Sequence, residues 1–71
     1  MDIEVSEAAY VDDLIASLRS AGLIASRTGL RKIEAYFALP RPENAAGLEL
    51  DAYLQVWEAR RQNAWATRVS P

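Results

Sequence analysis

The hydrophobic pattern in the first third of the chain is that of an amphipathic helix. Its apolar residues recur at i, i+3, i+4 and i+7, so they share one face of a helix with 3.6 residues per turn. Ser6 can cap the first turn through its hydroxyl group, and Gly22 is a residue type that commonly ends a helix. The spacing therefore predicts a helix over residues 6–21. Its apolar positions are Val11, Leu14, Ile15 and Leu18.

The segment 23–39 has two competing periods. From Ile33 onwards every second residue is apolar, as in a strand with one buried face, and a Thr-Gly turn signal precedes this stretch. This alternation predicts a β-hairpin over the whole segment. Leu30, Ile33 and Phe37 also fit a helical stripe, so a helix over residues 30–39 stays open as the alternative.

The last third of the chain predicts a second long helix, over residues 46–66, after a linker that contains two prolines. Its apolar stripe consists of Leu50, Tyr53, Leu54 and Trp57. The opposite side is assigned to Asp51, Gln55, Glu58 and Gln62. Beyond the last apolar residue of the stripe, Arg60, Arg61 and Trp65 are expected to project towards solvent or a partner.

These elements predict a fold of the α+β class, in which a helix, a β-hairpin and a second helix form a single small domain over residues 1–71. Residues 1–5 and 67–71 are expected to be flexible. A helix at 30–39 would instead give an all-α helix-turn-helix domain. The predicted core consists of Val11, Leu14, Ile15, Leu18, Leu23, Ile33, Phe37, Leu39, Leu50, Tyr53, Leu54 and Trp57.

The amino-acid composition limits the kinds of function that the chain can have. The 71 residues are 51% hydrophobic, and a chain of this size forms one core. The chain contains no cysteine and no histidine, which removes the commonest metal ligands and the usual catalytic nucleophile and base. A non-enzymatic protein without a cofactor is therefore expected. The acidic N-terminus and the lack of a long apolar run lead us to expect a cytoplasmic protein that does not contact membranes.

Charged residues fall into four blocks of alternating sign. Residues 1–18 carry a net charge of −5, residues 19–41 of +4, residues 42–58 of −4 and residues 59–71 of +3. Such blocks either attract one another within the fold or form binding surfaces. Under the second interpretation, the candidate residues for binding nucleic acid or a partner are Arg27, Arg31 and Lys32 at the hairpin and Arg60, Arg61 and Trp65 near the C-terminus.

The stretch VDDLIASLRSAGLIASRTGLRKIEAYFAL resembles the recognition helix and wing of winged-helix regulators of the ArsR, PadR and MarR kind. In those proteins a helix that ends in a Gly-Leu-Ile phrase runs directly into a hairpin with a basic tip. The resemblance implies DNA binding, with Arg27, Arg31 and Lys32 in contact with phosphates. Cations at a hairpin tip suit that role because they release counterions condensed on the nucleic acid.

Two other resemblances use the same region differently. Ala25, Gly29 and Leu30 are similar to the turn of a Cro-like helix-turn-helix, which would make residues 30–39 the recognition helix. The order of a helix, a basic hairpin, a helix and a basic tail is similar to gpW-like head-to-tail joining proteins of tailed phages. That likeness implies a role in assembly between larger proteins.

The expected function is therefore that of a small winged-helix-like DNA-binding regulator or accessory factor, which contacts nucleic acid through its basic hairpin. The alternative is a protein-interaction module, such as a phage head-tail joining protein or an inhibitor that docks on a larger host or viral protein. A protein partner or a homodimer would use the last helix. The sequence implies no small-molecule ligand.

Overall fold

The computed structural model describes residues 1–69, except for the side chain of Glu43. The elements in chain order are β1 Asp2–Val5, α1 Val11–Ser20, β2 Leu23–Gly29, β3 Lys32–Phe37, α2 Glu43–Ala59 and β4 Ala66–Val69. A short 3-10 helix, Ala8–Tyr10, leads into α1. The predicted α+β class is confirmed, and so is the central succession of helix, hairpin and helix.

The four strands form one antiparallel sheet in the order β2-β3-β1-β4. With the connectivity β-α-β-β-α-β, this is the split β-α-β arrangement called ferredoxin-like. Both helices pack on the same face of the sheet, because their buried residues join the inward-facing strand residues in a single core. The other face of the sheet is open to solvent.

The core lies between the helices and the inner face of the sheet. Most of the predicted core positions are buried, which confirms the helical periodicity of α1 and the alternation of β3. Leu39 and Tyr53 were predicted wrongly, since both are exposed. The buried residues that the prediction missed are Ile3, Val5, Ala25, Ala35 and Ala66.

The hairpin prediction is correct and the helical alternative for residues 30–39 is wrong. Leu23 pairs with Phe37 and Ala25 pairs with Ala35, which directs all four side chains into the core. Strand pairing thus overrides the high helix propensity of the LRKIEA stretch, because the strand buries every second residue.

The prediction of flexible ends is wrong for residues 2–5 and 67–69. β1 lies inside the sheet between β3 and β4, and Ile3 and Val5 are fully buried. The N-terminal amino group donates a hydrogen bond of 2.8 Å to the carbonyl oxygen of Ala35. Two alternating apolar residues are too few to reveal a strand by period alone. Residues 70–71 lie outside the described residues.

Both helices also have different limits from those predicted. α1 begins at Val11, and Ser6 uses its hydroxyl to accept a hydrogen bond from the backbone N–H of Trp65 at 3.0 Å. α2 ends at Ala59, after which Asn63 adopts a left-handed conformation with φ 61°. Asparagine tolerates this conformation, so the chain can reverse and add β4 to the sheet where the helix was expected to continue.

Candidate interaction surfaces

The alternating charge blocks are joined to one another by ion pairs. Every ion pair among the described side chains links a basic block to an acidic block. The pairs are Arg27–Asp12, Arg31–Glu4, Arg41–Glu49, Arg61–Asp13 and Arg68–Asp51. The block pattern is therefore at least in part a property of the fold, and pairing reduces the positive charge that is free for a ligand.

Two of the three hairpin cations bind the protein's own backbone. Arg27 donates hydrogen bonds to the carbonyl oxygens of Gly29 at 3.1 Å and Leu30 at 2.6 Å, so its guanidinium straps the turn. Arg31 donates to the carbonyl oxygen of Ser6 at 3.3 Å. Lys32 is exposed and lies directly opposite an acidic residue of β1 in the sheet register. The tip of the hairpin thus carries three cations, but in the folded chain acidic side chains and backbone carbonyl groups surround most of this charge.

The candidate residues that follow α2 have different surroundings. Arg61 bonds the carboxylate of Asp13 and lies over the ring of Trp57, with its guanidinium carbon 4.7 Å from the ring centroid. Arg60 is exposed and makes no ion pair with any described side chain. Trp65 lies in the loop before β4, with its side chain exposed, and not on a helix as predicted.

The structure brings all six predicted residues to the same end of the sheet. The hairpin turn, the C-terminal end of β1, the start of α1 and the loop after α2 meet there. Ser6 links the two groups, because its carbonyl oxygen accepts from Arg31 and its hydroxyl accepts from the backbone of Trp65. Acidic side chains at the start of α1 and the end of β1 share this end, a proximity that residue type alone could not reveal.

On each edge strand of the sheet, one backbone group is bound by a side chain. On β2, Arg19 donates two hydrogen bonds, of 3.2 and 2.9 Å, to the carbonyl oxygen of Ala25. On β4, the backbone N–H of Ala66 donates to the Glu58 carboxylate at 2.8 Å. Free edge groups are what an added strand would need. A strand added at either edge would therefore have to displace one of these side-chain contacts.

β4 is fastened to α2 by a bidentate ion pair. Arg68 donates to the two carboxylate oxygens of Asp51 at 2.9 and 3.0 Å. The hydrogen bond with Asp51, and then its charge, raise the pKa of the Arg68 guanidinium above its ordinary value. Gly47 provides the space, since a Cβ at that position would lie 2.8 Å from the central carbon of this guanidinium.

One apolar surface outside the core lies on the solvent side of α2. Leu48 is 70% exposed and Val56 is 54% exposed, and three exposed alanines lie along the same side. We call this surface the α2 outer face; it consists of Ala45, Leu48, Ala52, Val56 and Ala59. No charged residue lies within the stripe.

Of the residues predicted for this side of the helix, Gln55 is exposed, Gln62 lies beyond the end of α2, and Asp51 and Glu58 lie elsewhere. Asp51 and Glu58 are half-buried and bond β4, so they flank the buried stripe and do not lie opposite it. At 100° per residue, Leu48 and Ala52 lie about 160° from Leu50, which is the signal that would have identified the outer face.

The described residues form at least two surface clefts. One, of about 710 Å³, follows β4 and is lined on one wall by Asp51, Leu54 and Glu58; the two carboxylates there already bind Arg68 and the backbone of Ala66. The other, of about 310 Å³, lies between α1 and α2. Within residues 1–69, no described group of three or more acidic side chains is placed to hold a metal ion.

Neither α1 nor α2 is long and apolar enough to cross a membrane, and these are the only α-helices in the described part of the chain. No protein-family model, curated protein or solved structure matches this chain.

Proposed function

We propose that this protein is a non-enzymatic protein-interaction module that binds its partner through the α2 outer face. The observation that carries the proposal is the continuous apolar, charge-free stripe on the solvent side of a helix whose other side is already packed on the core. A surface helix ordinarily carries polar residues on that side. An exposed apolar stripe of this kind is a feature of protein-interaction sites.

Covering the two large side chains of this surface would supply part of the binding free energy, against an association cost of about 4–15 kcal/mol. Complete burial of a leucine or valine side chain contributes about 1.5–3 kcal/mol. Leu48 and Val56 are more than half exposed, so each would contribute roughly half or more of that amount on being covered. Interfaces with an apolar centre depleted of charge are typical of protein–protein contacts.

Nucleic-acid binding through the hairpin has weaker support. Arg27 and Arg31 would have to exchange their carboxylate and carbonyl partners for phosphates, which reduces the net gain from each contact. The acidic side chains at the same end of the sheet would repel the phosphate backbone. A protein surface therefore fits the exposed part of the molecule better than a polyanion.

Site-specific photo-crosslinking tests the proposal. A photoreactive amino acid replaces Leu48 in the cell that produces the chain, and the matched control carries it at Ile24, an exposed apolar residue on the open face of the sheet. We expect a protein adduct of discrete mass from position 48 only. The adduct should disappear when Ala52→Glu places a charge in the middle of the stripe.

The binding of labelled duplex and single-stranded DNA and RNA is measured in parallel at about 50 mM salt, where electrostatic attraction is strong. We expect no binding that depends on Arg27, Arg31 and Lys32. The absence of an adduct from position 48, or equal labelling from positions 48 and 24, would overturn the proposal. Nucleic-acid binding that is lost when the three cations are replaced by alanine would then assign the function to the hairpin.

A further inference from the structure

We infer that the partner of the α2 outer face is a second copy of this chain, whose own α2 packs antiparallel across a twofold axis at Ala52. The inference rests on the proposed function and adds the identity of the partner. It depends on the order of residues along the stripe, on the absence of charge there and on the unsuitability of the other surfaces.

The spacing of the stripe is palindromic. Its members are separated by three, four, four and three residues, and their sizes run small, large, small, large, small. In an antiparallel pair centred on Ala52, Leu48 of each copy meets Val56 of the other, and Ala45 meets Ala59. A twofold interface needs this self-complementarity, because residue i contacts residue j and j contacts i. Spacings of three and four residues are ordinary for any helical stripe, so the symmetry that distinguishes this one is the alternation of small and large residues about Ala52.

Charge supports the same arrangement. A residue near a twofold axis meets its own copy, so a charge there would be repelled by itself. Ala52 occupies the axis, and the nearest acidic residue on the flank, Glu49, is already neutralised by Arg41 at 2.5 Å. The other flank carries the uncharged Gln55. No unpaired like charges would therefore face one another across the helices.

The open face of the sheet is less suited to self-association. Asp2 and Glu34 are direct cross-strand neighbours there, and Glu4 lies on the same face. Two copies pressed together through this face would bring further charges against Asp2 and Glu34, which already repel each other, whereas Glu4 lies opposite Lys32. A continuous sheet across two copies would have to displace the side-chain contact at Ala25 of β2 or at Ala66 of β4.

The size of the contact sets the expected strength. α2 has 17 residues, which makes it about 25 Å long, and alanines at three of the five stripe positions let two helices approach to the short end of the usual 8–10 Å spacing. Such a pair buries roughly 1,000 Å² in total, less than the ~1,200 Å² of the smallest stable interfaces. We therefore expect a reversible dimer with a dissociation constant in the micromolar range.

Engineered cysteines test both the contact and its direction, because the chain has no cysteine of its own. Single Ala52→Cys, Ala45→Cys and Ala59→Cys variants of the full chain are oxidised, alone and in equimolar pairs, at about 100 μM, above the expected dissociation constant. Ala16→Cys, at an exposed alanine of α1, is the matched control. A disulfide forms only where the two Cα atoms come within about 7 Å.

We expect Ala52→Cys to form disulfide dimers at least about tenfold faster than the control, because position 52 meets its own copy. Ala45→Cys and Ala59→Cys should each stay monomeric alone but crosslink when mixed. Leu48→Glu should abolish both reactions. Sedimentation of the unmodified chain over a dilution series should show reversible dissociation.

Two outcomes would overturn the inference: crosslinking of Ala52→Cys no faster than that of Ala16→Cys, or self-crosslinking of Ala45→Cys as fast as that of Ala52→Cys, which requires parallel helices. The photo-crosslinking experiment separates the two proposals. An adduct from position 48 with twice the mass of the chain supports both. An adduct of any other mass keeps the interaction module and refutes the second copy, and no adduct refutes both.

Discussion

The strand β1 provides the sharpest test of the fold, because its residues lie in a stretch that composition alone assigns to a flexible end. Ile3 is 0% exposed and pairs with Ile33 in the interior of the sheet. We expect the substitution Ile3→Ala to destabilise the whole domain. The matched control is Ile24→Ala, the same substitution on the open face of the same sheet, where the side chain is 47% exposed.

The magnitude follows from burial. Ile3→Ala removes three buried carbon atoms, worth about 0.8 kcal/mol each, and leaves a cavity, so the total loss should fall within the usual range of about 2–5 kcal/mol. A domain of 71 residues has a free energy of unfolding of roughly 4–11 kcal/mol at ordinary values per residue. The variant should therefore lose from about a fifth to all of its stability, whereas Ile24→Ala should cost less than about 1 kcal/mol.

Urea unfolding followed by circular dichroism measures both variants at the same protein concentration. With an m-value of about 1 kcal/mol/M, the midpoint of Ile3→Ala should fall by about 2 M or more, and that of Ile24→Ala by less than about 1 M. Equal, small shifts for the two variants would show that Ile3 is not part of the core, and the assignment of β1 to the interior of the sheet would be wrong.

Two further substitutions test individual contacts. Asp13→Ala should cost about 1–3 kcal/mol, because Asp13 accepts the 2.9 Å hydrogen bond from the indole N–H of the buried Trp57. Asp12→Ala, whose exposed ion pair has a separation of 4.0 Å, should cost less than about 1 kcal/mol in the same urea assay. Gly47→Ala should stabilise an Arg68→Ala variant by about 1 kcal/mol through helix propensity, but should give a smaller gain or a loss in the parent, where it displaces the guanidinium. If Gly47→Ala changed the free energy of unfolding equally in the parent and in the Arg68→Ala variant, the close approach of Arg68 to Gly47 would be wrong.

The parts of the fold that the sequence predicted correctly depend on local periodicity. The stripe of α1 and the alternation of β3 each repeat over several residues, so the pattern exceeds chance. β1 and β4 have four residues each, and each buries at most two side chains. Whether such short segments form strands depends on neighbours more than 25 residues away in the chain, which no local pattern records.

For the candidate site, the sequence predicted the types of residue but not the contacts that they make. Residue type identified Arg27, Arg31 and Lys32 as a cationic cluster. It could not show that Arg27 folds back on its own turn or that Asp12 faces it, because both facts follow from the packing of α1 on the sheet. The α2 outer face was missed for a different reason. Its stripe is less hydrophobic than the buried stripe of Leu50 and Trp57, so the buried stripe dominates the pattern of the helix.

Folding alone does not require an apolar α2 outer face. Leu50, Leu54 and Trp57 already anchor the helix on the core, while glutamate and lysine have nearly the helix propensity of alanine. Replacing Ala52 with Lys, in a position open to solvent, should therefore change the free energy of unfolding by less than about 0.5 kcal/mol. In urea unfolding at a protein concentration below the dissociation constant, this variant should be as stable as the parent. In sedimentation at a higher concentration, it should fail to self-associate. A large loss of stability in the monomer would mean instead that the stripe stabilises the fold and is not kept apolar for an interface.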